Sequence, residues 1–323
     1  MIYRRLLLIA YCSLLIFPAL SCKTVPQIPD AVREETEFVP LNPDALAYIF
    51  IDVKKSKPVL SGINFGGIND KQLQQILDRT QSAAASLFLP HDVRAYQLAA
   101  WGKYPASGGK MALGASKDWK KVRSPLSKAE YWYSEKGQLS VALHSKRVFI
   151  SAVRENTPEY VSRDPFPAEA GTAIPKGFNE FRREAVLSLW LNNPGSFINQ
   201  KLGEIGLPLE IPAEQLFIGF FPAVKQAKPD REPPADAPQY EAVLKIQVSS
   251  ETQAWALTRV LASARNLFLP RTNSDETDSS AFTVLTSMFF ANPPKQDGKN
   301  LIIKTNALNA GDISLLFGLF SLW

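Results

Sequence analysis

Three short strands separated by two tight turns occupy 131–152, and that run limits the fold more than any other feature of the chain. Residues 131–133, 139–143 and 148–152 are apolar or alternating. Glu135-Lys136-Gly137 and His144-Ser145-Lys146-Arg147 supply the turns between them. Strands joined by such short links pair antiparallel, because a parallel pair needs a crossover of a dozen or more residues. Further strands are expected at 46–53, 96–101 and 110–115, then at 186–191, 216–221, 240–248, 282–290 and 301–305. In 240–248 the alternation is cleanest: Tyr240, Ala242, Leu244, Ile246 and Val248 share one face. The apolar run at 282–290 is nearly continuous and also fits a helix.

Helical spacing is clearest in two stretches. In 70–89, Leu73, Ile76, Leu77, Thr80, Ala84, Leu87 and Phe88 recur at three- and four-residue steps, with Asn69 or Asp70 as N-cap. In 250–269, Leu257, Val260, Leu261, Ala264, Leu267 and Phe268 repeat the pattern, and Ser250 with Gln253 offers a capping box. At a constant offset of 180, Leu77, Arg79, Ala84, Leu87, Phe88, Leu89 and Pro90 meet identical residues. A second register follows element order, each half running strand, helix, strand, strand, helix, strand, strand. That register equates 96–104 with 215–222 and a short helix at 117–126 with 251–269. It conflicts with the offset of 180 and is preferred, because it accounts for both halves.

The fold class expected is therefore α+β, in two halves read as a duplication, each a mainly antiparallel sheet with packed helices. Their bounds are 44–153 and 183–323, with a Pro-rich connection at 154–182. Residues 226–238 and 271–280 are polar loops rich in Pro or in Asp and Ser.

The first 21 residues read as an export signal. Arg4 and Arg5 precede an apolar run at 6–20, whose length as a helix is about 22 Å, short of a bilayer core of roughly 30 Å. Ala19-Leu20-Ser21-Cys22 follows. This stretch resembles the lipobox of bacterial lipoproteins, in the permissive form with Ala three places before the cysteine that is familiar in spirochaetes. The resemblance covers 22 residues and implies a processing route. By that route a diacylglyceryl thioether forms on Cys22, cleavage follows Ser21, and acylation of the new terminus often follows. Two or three acyl chains anchor stably where one does not. Residues 22–43, with Pro26, Pro29, Pro40 and Pro43, then form a flexible tether. Once 1–21 are removed, Cys22 is the sole cysteine and has no disulfide partner within the chain.

Chemistry-bearing motifs are sparse. With two cysteines and two histidines, His91 and His144, a disulfide framework, a thiolate zinc site and a multi-histidine metal centre are excluded. Both histidines fall in expected loops, and no G-x-S-x-G is present. Ser107-Gly108-Gly109-Lys110 matches S-x-x-K formally but reads as a turn between strands, without S-D-N or K-T-G elsewhere. No phosphate loop occurs, and the acid pairs Glu34-Glu35 and Asp275-Glu276 fall in linkers. Tyr131-Trp132-Tyr133 could stack a ligand but is read as strand packing. The apolar C-terminus, 312–323, is read as a docked helix.

Net charge is +5, or +3 without the signal, too balanced to point to nucleic acid, and no basic stripe is read into it. No cofactor, metal or catalytic residue is expected. The functional expectation is a lipid-anchored protein of the bacterial cell envelope, at the inner or outer membrane, with its folded part outside the cytoplasm. It serves as a non-enzymatic binding or assembly module, with an envelope protein or small ligand as partner. A lipid-tethered solute-binding protein is the alternative, and a hydrolase with a site invisible in sequence stands behind it.

Overall fold

The computed structural model describes residues 41, 45–61, 69–87, 96–123, 130–144, 146–152, 174–204, 210–223, 239–268, 289, 291–309 and 311–313. The chain divides into two compact units, Met1–Lys57 with Asn64–Asn179, and Pro58–Ile63 with Glu180–Trp323. The architecture is α+β with antiparallel pairing throughout the described ladders.

In the first unit the elements are β1 (Ala47–Asp52), the start of α1 (Val53–Ser61, whose residues from Pro58 on are assigned to the second unit), α2 (Asp70–Arg79), β2 (Thr80–Leu87) and β3 (Tyr96–Gly102). After them come α3 (Ala106–Ala115), β4 (Lys120–Arg123), β5 (Glu130–Ser134), β6 (Leu139–His144) and β7 (Arg147–Ser151). The strands lie in the order β1-β2-β3-β7-β6-β5-β4. The meander at 131–152 is present as β5, β6 and β7, and Gln138 closes its first turn with a φ of 50°.

The expected helix at 70–89 is corrected: it stops at Arg79, and 80–87 is strand β2. Its start is as expected, since Asn69 accepts from Gln72 N–H and the Gln72 side chain accepts from Asn69 N–H. Its end is set by tertiary contact. Thr80 Oγ1 donates to Ile76 C=O at 2.8 Å, and Tyr104 Oη donates to Thr80 Oγ1 at 3.1 Å. Lys103 N–H takes Arg79 C=O at 2.8 Å, and from there the chain is held between β1 and β3 on both edges. Two full ladders outweigh the mild helix preference of three alanines.

One row of this sheet is polar from strand to strand. Ser86 lies opposite Gln97, Gln97 opposite Ser151, and Ser151 opposite Ser140. All four are buried, and Ser86 Oγ donates to Gln97 Oε1 at 3.4 Å. The adjacent register, two residues along, is apolar, with three alanines around one ring: Ala84, Ala99, Phe149 and Ala142. Tyr104, Leu113, Trp119, Trp132, Leu139, Val141, Leu143 and Ile150 form an aromatic-rich core cluster.

Two further expectations in this unit are corrected. Residues 110–115 are helical, within α3, and not a strand; 120–123 form β4 where a helix at 117–126 was expected. Gly108-Gly109 therefore sits in the first turns of a helix, not in a turn between strands. Burial of Leu113 in the core cluster, rather than intrinsic propensity, holds α3 in place.

Helix α4 (Lys176–Glu184) occupies the end of the Pro-rich stretch, followed by β8 (Leu187–Asn192), α5 (Gly195–Glu204), β9 (Gln215–Pro222) and β10 (Tyr240–Gln247). Helix α6 (Glu251–Phe268), β11 (Lys295–Asp297) and β12 (Asn300–Lys304) complete the second unit, whose strands lie in the order β8-β9-β10-β12-β11. As expected for β10, Tyr240, Ala242, Ile246 and Val248 are buried on one face. Helix α6 matches its expected span. It buries Ala254, Leu257 and Leu261 and packs on β12 and β11. Its capping box is half formed: Gln253 N–H donates to Ser250 Oγ, while the Gln253 side chain accepts from Ser249 Oγ.

On β9, Gly219 makes room for a ring. An added Cβ there would lie 2.6 Å from Phe181 Cε1, and Phe181 packs edge-on to Phe221 at 5.1 Å and tilted on Phe217 at 5.9 Å.

The two units follow one path. In each, three successive strands are neighbours, and the last strand of the unit returns beside the third; the first unit adds the hairpin β4–β5. This is a likeness of path and does not establish duplication. The offset of 180 pairs strand β2 with 260–267 in the C-terminal half of helix α6, so Ala84 and Leu87 are not structural equivalents of Ala264 and Leu267, whereas Leu77 and Arg79 meet helical residues. The preferred register also shifts, because by position in the sheet β3 corresponds to β10 and not to 215–222. Of 282–290 only residue 289 is described, as helical.

Candidate functional site

Cys22, His91, Glu34-Glu35, Asp275-Glu276, and 314–323 of the C-terminal run lie outside the described residues. His144 ends β6 opposite Arg147. Ser107 and Lys110 are both exposed on α3. Trp132 is 3% exposed and belongs to the core cluster, so the middle residue of Tyr131-Trp132-Tyr133 packs the strand; the two tyrosines are half-buried on the opposite face. Among the described residues no group of three or more His, Cys, Asp or Glu could hold a metal ion. No helix among them is long and apolar enough to cross a membrane.

The few perturbed acids and phenols have local structural causes. Burial raises the Tyr104 hydroxyl well above its ordinary range, and the hydrogen bond to Thr80 only partly offsets this. Burial likewise raises Tyr240. A hydrogen bond from Lys121 lowers the exposed Glu130 carboxyl, helped by the charges of Lys121, Arg123 and Lys110.

What the surface does present is apolar. Three large hydrophobic side chains are exposed among the described residues: Met111 at 76%, Trp255 at 55% and Val260 at 44%. Two of them are on α6. Its buried side is fixed by Ala254, Leu257 and Leu261, which turns Trp255, Ala256, Arg259 and Val260 outward. Arg259, one turn after Trp255, lies over the indole with its guanidinium carbon 5.5 Å from the ring centroid. Sequence periodicity placed Val260 on the buried face and passed over Trp255. The usable signal was a tryptophan and an arginine four residues apart, out of phase with Leu257 and Leu261.

Comparison with known proteins adds the family. Residues 33–268 match the family described as outer membrane-associated lipoprotein TP0453. Three solved structures share the fold, all crystal forms of TP0453. Form III aligns with TM-score 0.55 at 15% identity, over 89% of this chain and 98% of that one. Form IV gives 0.54 at 15%, over 87% and 96%, and form I gives 0.52 at 16%, over 88% and 97%. No curated protein matches the sequence. The family match spans well over half of the chain and agrees with the lipoprotein expected from the N-terminus. The chain belongs to the family of the outer membrane-associated lipoprotein TP0453, a protein of the bacterial cell envelope.

Proposed function

We propose that this envelope lipoprotein is held by acyl chains on Cys22, reaches from the membrane on the tether 22–43, and uses its folded body as a non-enzymatic contact for assembling envelope components. The observation that carries the reading is the outward side of α6. An indole more than half exposed, with an arginine stacked on it, forfeits the burial that normally stabilises a tryptophan. Tryptophan and arginine are also the residues that dominate the energetics of protein–protein contacts.

Trp255→Ala separates this role from a structural one. Because the side chain projects outward, the substitution is expected to change folding stability by less than about 0.5 kcal/mol. A photo-crosslinking residue at position 255 of the full chain, in intact cells, is expected to give one reproducible protein adduct. The same residue at exposed Lys299 is expected to give none. Loss of stability in Trp255→Ala, or equal crosslinking at both positions, contradicts the contact.

A further inference from the structure

The balanced charge of the whole chain hides a local excess. Between Lys103 and Arg123 there are six basic residues, Lys103, Lys110, Lys117, Lys120, Lys121 and Arg123, against one acid, Asp118. Their net charge of +5 equals that of the entire chain, so the remainder is neutral. The stretch runs from the end of β3 through α3 to β4. Sequence reading alone saw no basic stripe, because the charge of the whole chain is nearly balanced.

The fold places three of these charges on an outer strand. β4 is the outermost strand of the first unit, and its single strand partner among the described residues is β5. Lys120, Lys121 and Arg123 are exposed on it, with Val122 half-buried between them. Two acids are in contact: Glu135 accepts from Lys120 and Glu130 from Lys121, each at 2.8 Å. All four side chains are well exposed, and such pairs contribute about 0–1 kcal/mol, so they exchange readily for other carboxylates. The lowered Glu130 carboxyl reports the same field, set by Lys121, Arg123 and Lys110 together.

Lysines on an edge strand guard against indiscriminate pairing. The guard is selective in sign: it repels basic and neutral strands far more than acidic ones. We infer that the outer edge of β4 takes an extended acidic polypeptide segment of an envelope partner as an added strand. Backbone groups pair along 120–123, carboxylates meet Lys121 and Arg123 on one face, and apolar side chains lie beside Val122 on the other. This site is separate from the α6 contact and stands on different observations.

The test uses the full chain in detergent and a fluorescent peptide of four Glu-Val repeats. Its comparison probes are the Gln-Val peptide, and a Glu-Val peptide N-methylated at every residue, which keeps the charge but has no N–H on either edge to complete a ladder. Binding of the Glu-Val peptide is expected by fluorescence anisotropy. Both comparison probes, and the variant Lys121→Gln/Arg123→Gln, are expected to bind roughly tenfold more weakly or worse, as when charge-assisted contacts are lost. The variant should keep the wild-type melting temperature. Equal binding of the N-methylated peptide overturns strand addition in favour of bare electrostatics. Absence of peptide binding overturns the proposal, as does charge-dependent binding to phosphatidylglycerol vesicles but not to peptide.

Discussion

Gly102→Ala is expected to cost about 3 kcal/mol or more of folding stability, near the top of what a single added methyl does. The methyl has no free direction. Its carbon would lie 1.9 Å from Arg79 C=O and 3.0 Å from Thr80 Cα, both backbone atoms that a rotamer change cannot move. The same junction holds Lys103 N–H on Arg79 C=O, Gly102 N–H on Lys146 C=O, and the Thr80–Tyr104 hydrogen bond. Relief would therefore break the point where α2 becomes β2 and where the ladder between β2 and β3 shifts register. Urea denaturation against wild type is the measurement. A midpoint within error of wild type would contradict the close approach.

Phe217→Ala is expected to cost about 4 kcal/mol, the range for emptying a buried aromatic site. Phe217 is fully buried on β9, with Phe181 against its ring and the Lys245 ammonium 5.7 Å from the centroid. The cavity cannot close easily, because Phe181 is already seated over Gly219 and against Phe221. Phe217→Leu should recover roughly half of the loss, since most of the volume returns without the ring contacts. Equal stability of the two variants would contradict the cavity account, because returning most of the volume would then recover nothing.

How much of this was legible in the sequence depended on whether side-chain pattern or tertiary contact decided each element. The β5–β7 meander, β10 and α6 were legible because turn residues, strict alternation and a three-to-four period fix them locally. β2 was not, because Ser82-Ala83-Ala84-Ala85-Ser86 has no apolar period, and its state is settled by ladders to β1 and β3. Helix α3 was hidden by its glycines. Nothing within 4 Å demands Gly108 or Gly114, so their presence in a helix reflects packing of Leu113 and not a local preference. Short strands β4 and β11, made of Lys, Arg, Gln and Asp around a lone valine, carry no strand signal at all.

The contact surfaces divide in the same way. Trp255 and Arg259 could have been found as an outlying pair on a well-read helix. The basic excess of 103–123 could have been counted in the sequence, but that Lys120, Lys121 and Arg123 lie on an outer strand could not. The proposed lipid site at Cys22 rests on four residues alone, since the enzymes that process an export signal read local sequence and not the fold.

The central claim is that this fold works at a membrane through a lipid on Cys22. Intact mass spectrometry of the protein from detergent-solubilised envelope tests it most directly. The account predicts a chain that begins at Cys22 and carries a diacylglyceryl thioether, with Cys22→Ser leaving an uncleaved precursor without lipid. A mature chain that begins at another residue, or an unmodified Cys22 on membrane-associated protein, would contradict it.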